Sequence, residues 1–217
     1  MTQYPHIKSF VIRKGKVTNT QLYALKHYRE KYILETSNQI TNWCQQQKKL
    51  VLEIGYGMGE NLIHLATHNP QYNFLGIEVH QAGIGKTLYK IEQLKLQNIR
   101  LIAKDAIEVL EQDINDNSIH QVFILFPDPW QKKRHHKRRL INQDFISKVT
   151  AKLKQGATIN IATDWYDYAK QIKMLLCNTE NIQIASSEHG LARTTTAFEL
   201  KGLKKGHKIY NFLYTKK

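Results

Sequence analysis

The feature that most constrains this chain is a regular alternation of short apolar runs with amphipathic stretches, which extends from residue 50 to residue 177. The apolar runs have the length of buried β-strands, and the stretches between them repeat at a helical period. This alternation predicts right-handed βαβ units, and therefore a mostly parallel sheet with helices on both faces. The predicted strands cover residues 50–54, 73–79, 99–103, 121–126 and 157–163, and the predicted helices cover 60–68, 82–96, a short stretch after Asp105, 142–153 and 165–177.

The two ends of the chain depart from this alternation. Residues 1–18 are predicted as a mobile basic arm, and residues 19–47, with apolar residues at helical spacing, as one or two helices. Near the other end, β-prone stretches at 194–200 and 207–213 flank a Lys- and Gly-rich segment and predict a C-terminal antiparallel hairpin. Because the sequence has no repeat and no linker, residues 19–217 are expected to form one domain.

The charge balance predicts a polyanionic partner. Among 217 residues, 32 Lys and Arg stand against 18 Asp and Glu, which is a formal net charge of +14. No apolar run approaches the roughly 20 residues of a membrane helix, and the first residues have no secretory-signal pattern. Cys44 and Cys177 are the only cysteines. These observations predict a cytoplasmic protein with no membrane span and no cysteine-based zinc site.

A glycine-rich turn follows the first predicted strand and reads Glu-Ile-Gly-Tyr-Gly-Met-Gly-Glu over residues 53–60. Alternating glycines let a backbone turn tightly and approach a ligand without interference from Cβ atoms. A dinucleotide-binding fingerprint would need glycine at position 60, where this chain has glutamate. Because an acid suits a cationic ligand better than a pyrophosphate, the loop favours S-adenosylmethionine, which carries an ammonium and a sulfonium group.

Further acids follow the next two predicted strands, at the edge where open α/β sheets bind ligands. Glu78 ends the second strand, where a carboxylate can accept hydrogen bonds from both hydroxyls of a ribose, and Asp105 follows the third, next to the expected adenine. Each acid alone is equally compatible with a helix cap or a solvated loop. Together with the glycine loop, the order of these features resembles that of the class I S-adenosylmethionine-dependent methyltransferases.

The most informative segment follows the fourth predicted strand and reads Phe-Pro-Asp-Pro-Trp-Gln-Lys-Lys-Arg-His-His-Lys-Arg-Arg over residues 126–139. Asp128 lies between two prolines that restrict the backbone, at the mouth of the expected site. Residues 132–139 hold six Lys or Arg and two His, which favours a surface that binds nucleic-acid phosphates. The alternatives are a tight turn or cis-proline with Asp128 as a helix cap, and a solvated charged face.

This segment, with residues 53–60 before it and Thr196-Ala197-Phe198-Glu199 after it, resembles the bacterial tRNA (guanine-N7-)-methyltransferases, and the similarity runs from about residue 49 to residue 210. The resemblance implies an α/β fold of the Rossmann-like class I methyltransferases: a mostly parallel seven-stranded sheet, helices on both faces and a C-terminal antiparallel hairpin. It implies methyl transfer from S-adenosyl-L-methionine to N7 of a guanosine in the tRNA variable loop. The implied cofactor half is about residues 49–126, and the RNA and substrate half about 127–217.

The resemblance also implies roles for individual residues. Asp128 is the implied catalytic carboxylate, and the implied cofactor contacts are Glu53, Gly55, Gly57, Gly59, Glu78, Asp105 and Asp128. The implied substrate contacts are Lys132, Asp164, Thr196, Ala197, Phe198 and Glu199, and the implied RNA contacts are Arg134, His135, His136, Lys137, Arg138 and Arg139. Four residues depart from the usual family pattern, namely Tyr56, Gln131, Thr194 and Ala197; proline is frequent at position 194 and a basic residue at position 197.

The implied reaction needs no general base, because guanine N7 carries a lone pair and no proton. Positive charge moves from sulfur to the purine, so catalysis depends on alignment and on negative charge near the ring. Asp128 and Asp164 are expected to accept hydrogen bonds from the guanine N1-H and N2 amino groups, a pairing that rejects adenine. Asp164 has a second possible role, as part of the cap of the helix that starts at Trp165. No spaced set of His and Asp predicts a metal site.

Three other functions stay open on the sequence alone: a nicotinamide-dependent oxidoreductase, a noncatalytic RNA-binding module, and a methyltransferase that modifies another RNA atom. Glutamate at position 60 and the cationic segment count against the first, and the acids around the glycine loop count against the second. The fold alone does not identify the modified atom. The expected partner is tRNA, and the chain is expected to be a monomer or a homodimer.

Overall fold

The structure is a computed structural model in which residues 7–11, 16–186 and 190–217 are described. Its strands are β1 (Lys49–Ile54), β2 (Tyr72–Ile77), β3 (Ile99–Ile102), β4 (Ile119–Leu125), β5 (Leu153–Thr163), β6 (Ile182–Ile184) and β7 (Tyr210–Lys216). Within the described residues they form a seven-stranded sheet in the order β3-β2-β1-β4-β5-β7-β6. The first five strands run parallel, and β7 is antiparallel to both β5 and β6. The predicted mostly parallel sheet with an antiparallel C-terminal end is confirmed.

Helices fill the connections between the strands. They are α1 (Asn19–His27), α2 (Arg29–Tyr32), α3 (Ser37–Cys44), α4 (Glu60–His68), α5 (Gln81–Gln93), α6 (Ala106–Gln112), α7 (Gln143–Lys152), α8 (Tyr166–Cys177) and α9 (Ala197–Lys204), with a 3₁₀ helix at Lys133–Arg138. Every strand and helix predicted between residues 50 and 177 is present, with shifted ends. The largest shift is in β5, which begins at Leu153 because this residue already pairs with Ile119 of β4. In the three described ranges, no helix has the length and apolar character needed to cross a membrane.

Two separate apolar cores cover the two faces of the sheet. In β1, Leu50 and Leu52 belong to the core that α3, α6, α7 and α8 cover, whereas Val51 belongs to the core beneath α1, α4 and α5. The same alternation holds in β4, where Val122 and Phe123 lie in different cores. Successive side chains of a strand point to opposite faces, so an uninterrupted apolar run needs helices on both sides.

The prediction of a strand at residues 194–200 is wrong. Residues from Ala197 to Lys204 form α9, and β7 pairs with β5 and β6 instead. The physical reason is a local cap: the Thr196 hydroxyl accepts a hydrogen bond from the backbone N–H of Glu199 at 3.3 Å, which favours helix initiation over a strand. The prediction of one or two helices in residues 19–47 is also corrected, because the structure has three there, α1, α2 and α3.

Part of the predicted N-terminal arm lies outside the described residues, namely residues 1–6 and 12–15. Of the rest, the Ser9 carbonyl accepts a hydrogen bond from Trp130 Nε1 at 2.9 Å, and the Lys8 carbonyl accepts one from Arg138 Nε at 3.3 Å. Residues 7–11 therefore contact the segment that follows β4. The mobility of the arm stays a prediction.

Gly85→Ala tests the close contact between α1 and α5. A Cβ at Gly85 would lie 2.7 Å from the backbone oxygen of Gln21 in α1. Displacing α1 costs about 1–3 kcal/mol, which exceeds the gain of up to about 1 kcal/mol in helix propensity. We expect the free energy of unfolding, measured by urea denaturation, to fall by about 1–2 kcal/mol. Lys86→Ala, an exposed change in the same helix, is the control, and equal stability of the two variants would contradict the close approach.

Candidate active site

The glycine loop, residues 55–59, connects β1 to α4 at the carboxyl edge of the sheet. Gly55, Gly57 and Gly59 have φ angles of 70°, 56° and 77°, a left-handed conformation that residues with a Cβ rarely adopt. The Gly55 N–H donates to the Ile77 carbonyl at 2.8 Å, which ties the loop to the end of β2. The alternating glycines are therefore required by the backbone of this turn.

A cavity of about 220 Å³ lies against the glycine loop. The structure brings six of the predicted site residues to its walls: Gly55, Gly57, Glu78, Asp105, Asp128 and Phe198. Ser9 and Phe10 line the same cavity from the N-terminal side. Gly59 lies deeper, where it forms the N-terminal cap position of α4.

Glu78 is buried at the end of β2 and supports the glycine loop. Its Oε2 accepts from the Gly57 N–H at 2.9 Å, and its Oε1 accepts from the N–H groups of Val79 and His80 at 2.7 and 3.0 Å. These bonds fix the carboxylate in the cavity wall. Because a carboxylate offers about four lone-pair positions, Oε2 retains capacity to accept from a ligand.

Asp105 caps a helix and lies in the cavity wall. Its Oδ1 accepts from the Ile107 N–H at 2.9 Å and so caps α6. The residue also lines the cavity. The capping alternative is therefore observed, and it leaves the second carboxylate oxygen available to a ligand.

Glu53 lies beside the cavity, in a smaller one of about 40 Å³ that shares Gly55, Gly57 and Phe198 with it. Only 3% of Glu53 is exposed. Its Oε2 accepts from Asn61 Nδ2 at 2.9 Å. Burial raises the pKa of Glu53 to about 8, because the charged form is poorly solvated there. A cation in the cavity would favour the carboxylate form.

The loop that carries Asp128 is backbone-strained at both ends. Phe126 and Trp130 have φ angles of 53° and 45°, a left-handed conformation that costs non-glycine residues free energy. Asp128 is exposed between them and accepts no hydrogen bond from the described part of the chain. It does not cap a helix, in contrast to the alternative considered from the sequence.

Arg139 is buried and stabilises the loop that carries Asp128. Although it ends the cationic run, only 3% of it is exposed. Its guanidinium donates to the Pro129 carbonyl at 2.8 Å, to Gln171 at 2.6 Å and to Asp167 at 2.8 Å. Arg139 also lowers the pKa of Asp167 through this ion pair. The donors of Arg139 are thus directed into the protein.

Other members of the run face solvent. Lys132, Arg134 and Lys137 are exposed, and Lys132 lines none of the cavities described here. Arg138 is partly exposed and stacks on Trp130, with its guanidinium carbon 4.7 Å from the ring centroid. His135 contacts the edge of the same ring, and His136 lies 3.1 Å from the Arg139 guanidinium.

Asp128 and Asp164, which the sequence pairs in guanine recognition, line a common cavity of about 240 Å³. Asp164 Oδ2 contacts His207 Nδ1 at 2.8 Å. Asp164 does not cap α8, because the N-cap residue of this helix is Trp165 and no side chain makes a capping hydrogen bond there; the Thr163 hydroxyl accepts from the Trp165 N–H at 3.2 Å, one residue before the helix. No local pattern identifies His207, because it lies 43 residues from Asp164 along the chain.

Residues 190–199, which include the predicted substrate contacts from Thr196 to Glu199, are held against the first turn of α4 by hydrogen bonds. Glu60 Oε2 accepts from the Ala197 N–H at 2.7 Å, and Asn61 Oδ1 accepts from the Thr194 N–H at 2.9 Å. Glu199 forms a bidentate ion pair with Arg193, which lowers the pKa of Glu199. Sequence reasoning missed Asn61; the signal that was available is a polar residue two positions after the glycine loop.

In the described ranges, no three His, Cys, Asp or Glu side chains are grouped so that they could hold a metal ion.

Comparison with known proteins identifies the family. Residues 47–212 match a family model described as a putative methyltransferase. The chain is 39% identical over 221 residues to the tRNA (guanine-N(7)-)-methyltransferase of Legionella pneumophila (strain Lens), which covers 97% of this chain and 98% of that protein. It is 41% identical over 217 residues to the protein of the same name from Francisella philomiragia, over 97% and 95% of the two chains.

A solved structure supports the fold. The 16S rRNA methyltransferase KamB aligns with a TM-score of 0.60 over 84% of this chain and 94% of that chain, at 11% sequence identity. The sheet order and the family model define a Rossmann-like class I methyltransferase, as predicted. With about 40% identity over nearly its full length, the chain belongs to the tRNA (guanine-N(7)-)-methyltransferase family.

Glu53→Gln tests whether the pKa of the buried Glu53 carboxyl group is raised. In the folded protein Glu53 keeps its proton up to about pH 8, whereas unfolding returns its pKa to 4.5. The free energy of unfolding therefore falls as the pH rises between these values, and a glutamine avoids this loss. We expect the variant to be more stable than the wild type by about 1–3 kcal/mol near pH 8, with a smaller difference near pH 5.

Urea denaturation of the ligand-free protein at several pH values measures this difference. Glu108→Gln, which changes an exposed acid of α6, is the control and should show no such trend. A difference between Glu53→Gln and wild type that does not vary with pH would contradict the raised pKa.

Proposed function

We propose that this enzyme transfers a methyl group from S-adenosyl-L-methionine to N7 of a guanosine in the variable loop of tRNA. The observation that carries the proposal is the position of Asp128, which lines both the cavity beside the glycine loop and the cavity that contains Asp164. A single carboxylate thus borders the expected places of methyl donor and acceptor. The names of the relatives support tRNA and guanine N7 as the target.

The residues of the first cavity fit the methyl donor. When bound, S-adenosylmethionine supplies a methyl group on a positively charged sulfur. Glu78 offers its remaining acceptor capacity to the ribose hydroxyls, and Asp105 offers its second oxygen near the adenine. The glycines of the loop have no side chains that would obstruct the ligand. Glu53, which is buried at the end of β1, balances the positive charge of the ligand.

Guanine recognition is assigned to the second cavity. Asp128 and Asp164 accept hydrogen bonds from N1-H and the N2 amino group, and adenine cannot supply this pair of donors. These hydrogen bonds strengthen as the purine becomes positive during transfer, which lowers the barrier. Phe198, 57% exposed and shared by both cavities, offers an apolar surface to the base. Thr196 and Glu199 hold the start of α9 in place.

The exposed part of the cationic run positions the RNA. Lys132, Arg134, Lys137 and Arg138 offer charge to phosphates beside Asp128, as expected for sequence-independent backbone contacts. Arg139, in contrast, is assigned a positioning role, because its buried guanidinium donates to the Pro129 carbonyl.

A cytoplasmic location is part of the proposal and agrees with two unpaired cysteines, Cys44 and Cys177.

Asp128→Asn tests the proposed function. Labelled S-adenosylmethionine and unmodified tRNA are incubated with each protein, and the nucleosides are then analysed. The wild type should produce 7-methylguanosine, and we expect the variant to be slower by about 100-fold, because the amide lacks the charge that stabilises the cationic purine. The control is Asp144→Asn, an exposed acid on α7. A different methylated nucleoside, or none, would contradict the proposed reaction, and a rate near that of the wild type would contradict the role of Asp128.

The triple variant Arg134→Ala, Lys137→Ala, Arg138→Ala tests the RNA surface. The logarithm of the association constant for tRNA falls linearly with the logarithm of the salt concentration, and each lost phosphate contact should reduce the magnitude of this slope by about 0.7–0.9. The affinity for S-adenosylhomocysteine should stay unchanged. Measuring tRNA binding at several salt concentrations gives the slope. Replacing Lys86, Lys90 and Lys173, which are exposed elsewhere, removes the same charge and should leave the slope unaltered. A slope equal to that of the wild type in the first variant would mean that the run is only a solvated face.

A further inference from the structure

Asn61 forms a bridge between the cofactor side and the substrate side of the site. It lies in the first turn of α4 and is only 1% exposed. Its Nδ2 donates to Glu53 Oε2 at 2.9 Å, and its Oδ1 accepts from the Thr194 N–H at 2.9 Å. The proposed reaction gives this buried side chain no role, although both of its partners belong to functional segments.

The chemistry of the amide makes this bridge directional. A backbone N–H can only donate, so the end of Asn61 that faces Thr194 must be the oxygen. The end that faces Glu53 is then the NH₂ group, which needs an acceptor. An ionised Glu53 can only accept, and it therefore selects this orientation of the amide. A protonated Glu53 can also donate to a reversed amide, which would place NH₂ against the Thr194 N–H.

The raised pKa of Glu53 makes its charge state sensitive to a charged ligand in the neighbouring cavity. Burial raises the pKa of Glu53 to about 8, so at neutral pH the ligand-free protein mainly holds the protonated form. The Glu53 cavity shares Gly55 and Gly57 with the larger one. A cationic ligand placed there favours the carboxylate and, with it, a charge-assisted hydrogen bond to Asn61.

We propose that Asn61 is a positioning residue that couples occupancy of the cofactor cavity to the placement of residues 190–199, so that cofactor and tRNA bind cooperatively. The inference rests on the proposed function, since it takes a cationic methyl donor and a tRNA as the two ligands. The energy of the coupling is the difference in strength of the Thr194 hydrogen bond between the two states of Glu53. By reciprocity, tRNA raises the affinity for the cofactor by the same factor.

The residue at position 194 agrees with this role, because it has a backbone N–H. A proline at 194 would have no N–H to donate to Asn61, whereas Thr194 has one. Ala197 brings its N–H to Glu60, the residue before Asn61, at 2.7 Å. The other end of the segment is held independently of the glycine loop, because Gln121 of β4 bonds both the N–H and the carbonyl of Leu191, at 2.7 and 2.9 Å.

The test measures the coupling factor, which is the ratio of the Kd of sinefungin, an unreactive analogue of S-adenosylmethionine with a charged amine in place of the sulfonium, without and with saturating unmodified tRNA. Titration calorimetry with the full-length protein gives both constants. We expect at least about a fivefold ratio for the wild type. Asn61→Leu should reduce the ratio to within about twofold of one. Thr194→Pro should do the same while leaving Asn61 and Glu53 in place, so it keeps the test valid if Asn61→Leu fails to fold.

Gln121→Leu is the matched control, because it loosens the same segment at its other end without touching the bridge. It should weaken tRNA binding but keep the coupling factor within about twofold of the wild-type value. A wild type without coupling, a Thr194→Pro variant with full coupling, or a loss in Gln121→Leu equal to that in Thr194→Pro would each overturn the role of Asn61. Failure of the wild type to bind sinefungin or tRNA would instead overturn the proposed function.

Discussion

Both faces of the parallel sheet are buried, and this requirement determines where the polar residues of the chain can lie. The apolar residues of β1 and β4 alternate between two cores, so each strand needs helices on both sides. The strands β1 to β5 are parallel, so their carboxyl ends meet at one edge. The glycine loop, Glu78, Asp105 and Asp128 each follow such a strand end. Their proximity is a consequence of the topology.

At this edge of the sheet, the buried ionisable residues are mainly acids, whereas the exposed rim is rich in Lys and Arg. Three acids of the site, Glu53, Glu78 and Asp105, are buried, although the chain carries a net charge of +14. The exposed cations of residues 132–138 lie on the same side, after β4. An interior that favours a small cation and a rim that favours a polyanion suit two ligands of opposite charge, which is the combination that methyl transfer to RNA requires.

Two arginines serve the loops of the site from within the protein. Arg139 fastens the Asp128 loop through the Pro129 carbonyl, and Arg193 pairs with Glu199 at the start of α9. Both are largely shielded from solvent. Buried charges of this kind persist where they are fully paired, and they hold irregular backbone that has no sheet or helix to support it. The strained φ angles of Phe126 and Trp130 lie in the loop that Arg139 fastens.

The sequence by itself determined the alternating strands and helices, the glycine loop and the acids that end the strands, because each of these is a local pattern of apolar spacing or backbone freedom. It did not determine which stretch pairs with β7: residues 194–200 are β-prone, yet α9 begins at Ala197, directly after the Thr196 cap. Nor did it separate Arg139 from its exposed neighbours, or identify Asn61 and His207. Asn61 and Thr194 are 133 residues apart, and Asp164 and His207 are 43 apart. Only the tertiary structure decides such contacts, because a hydrogen bond between distant segments depends on how the whole chain packs and leaves no periodic signal in either segment.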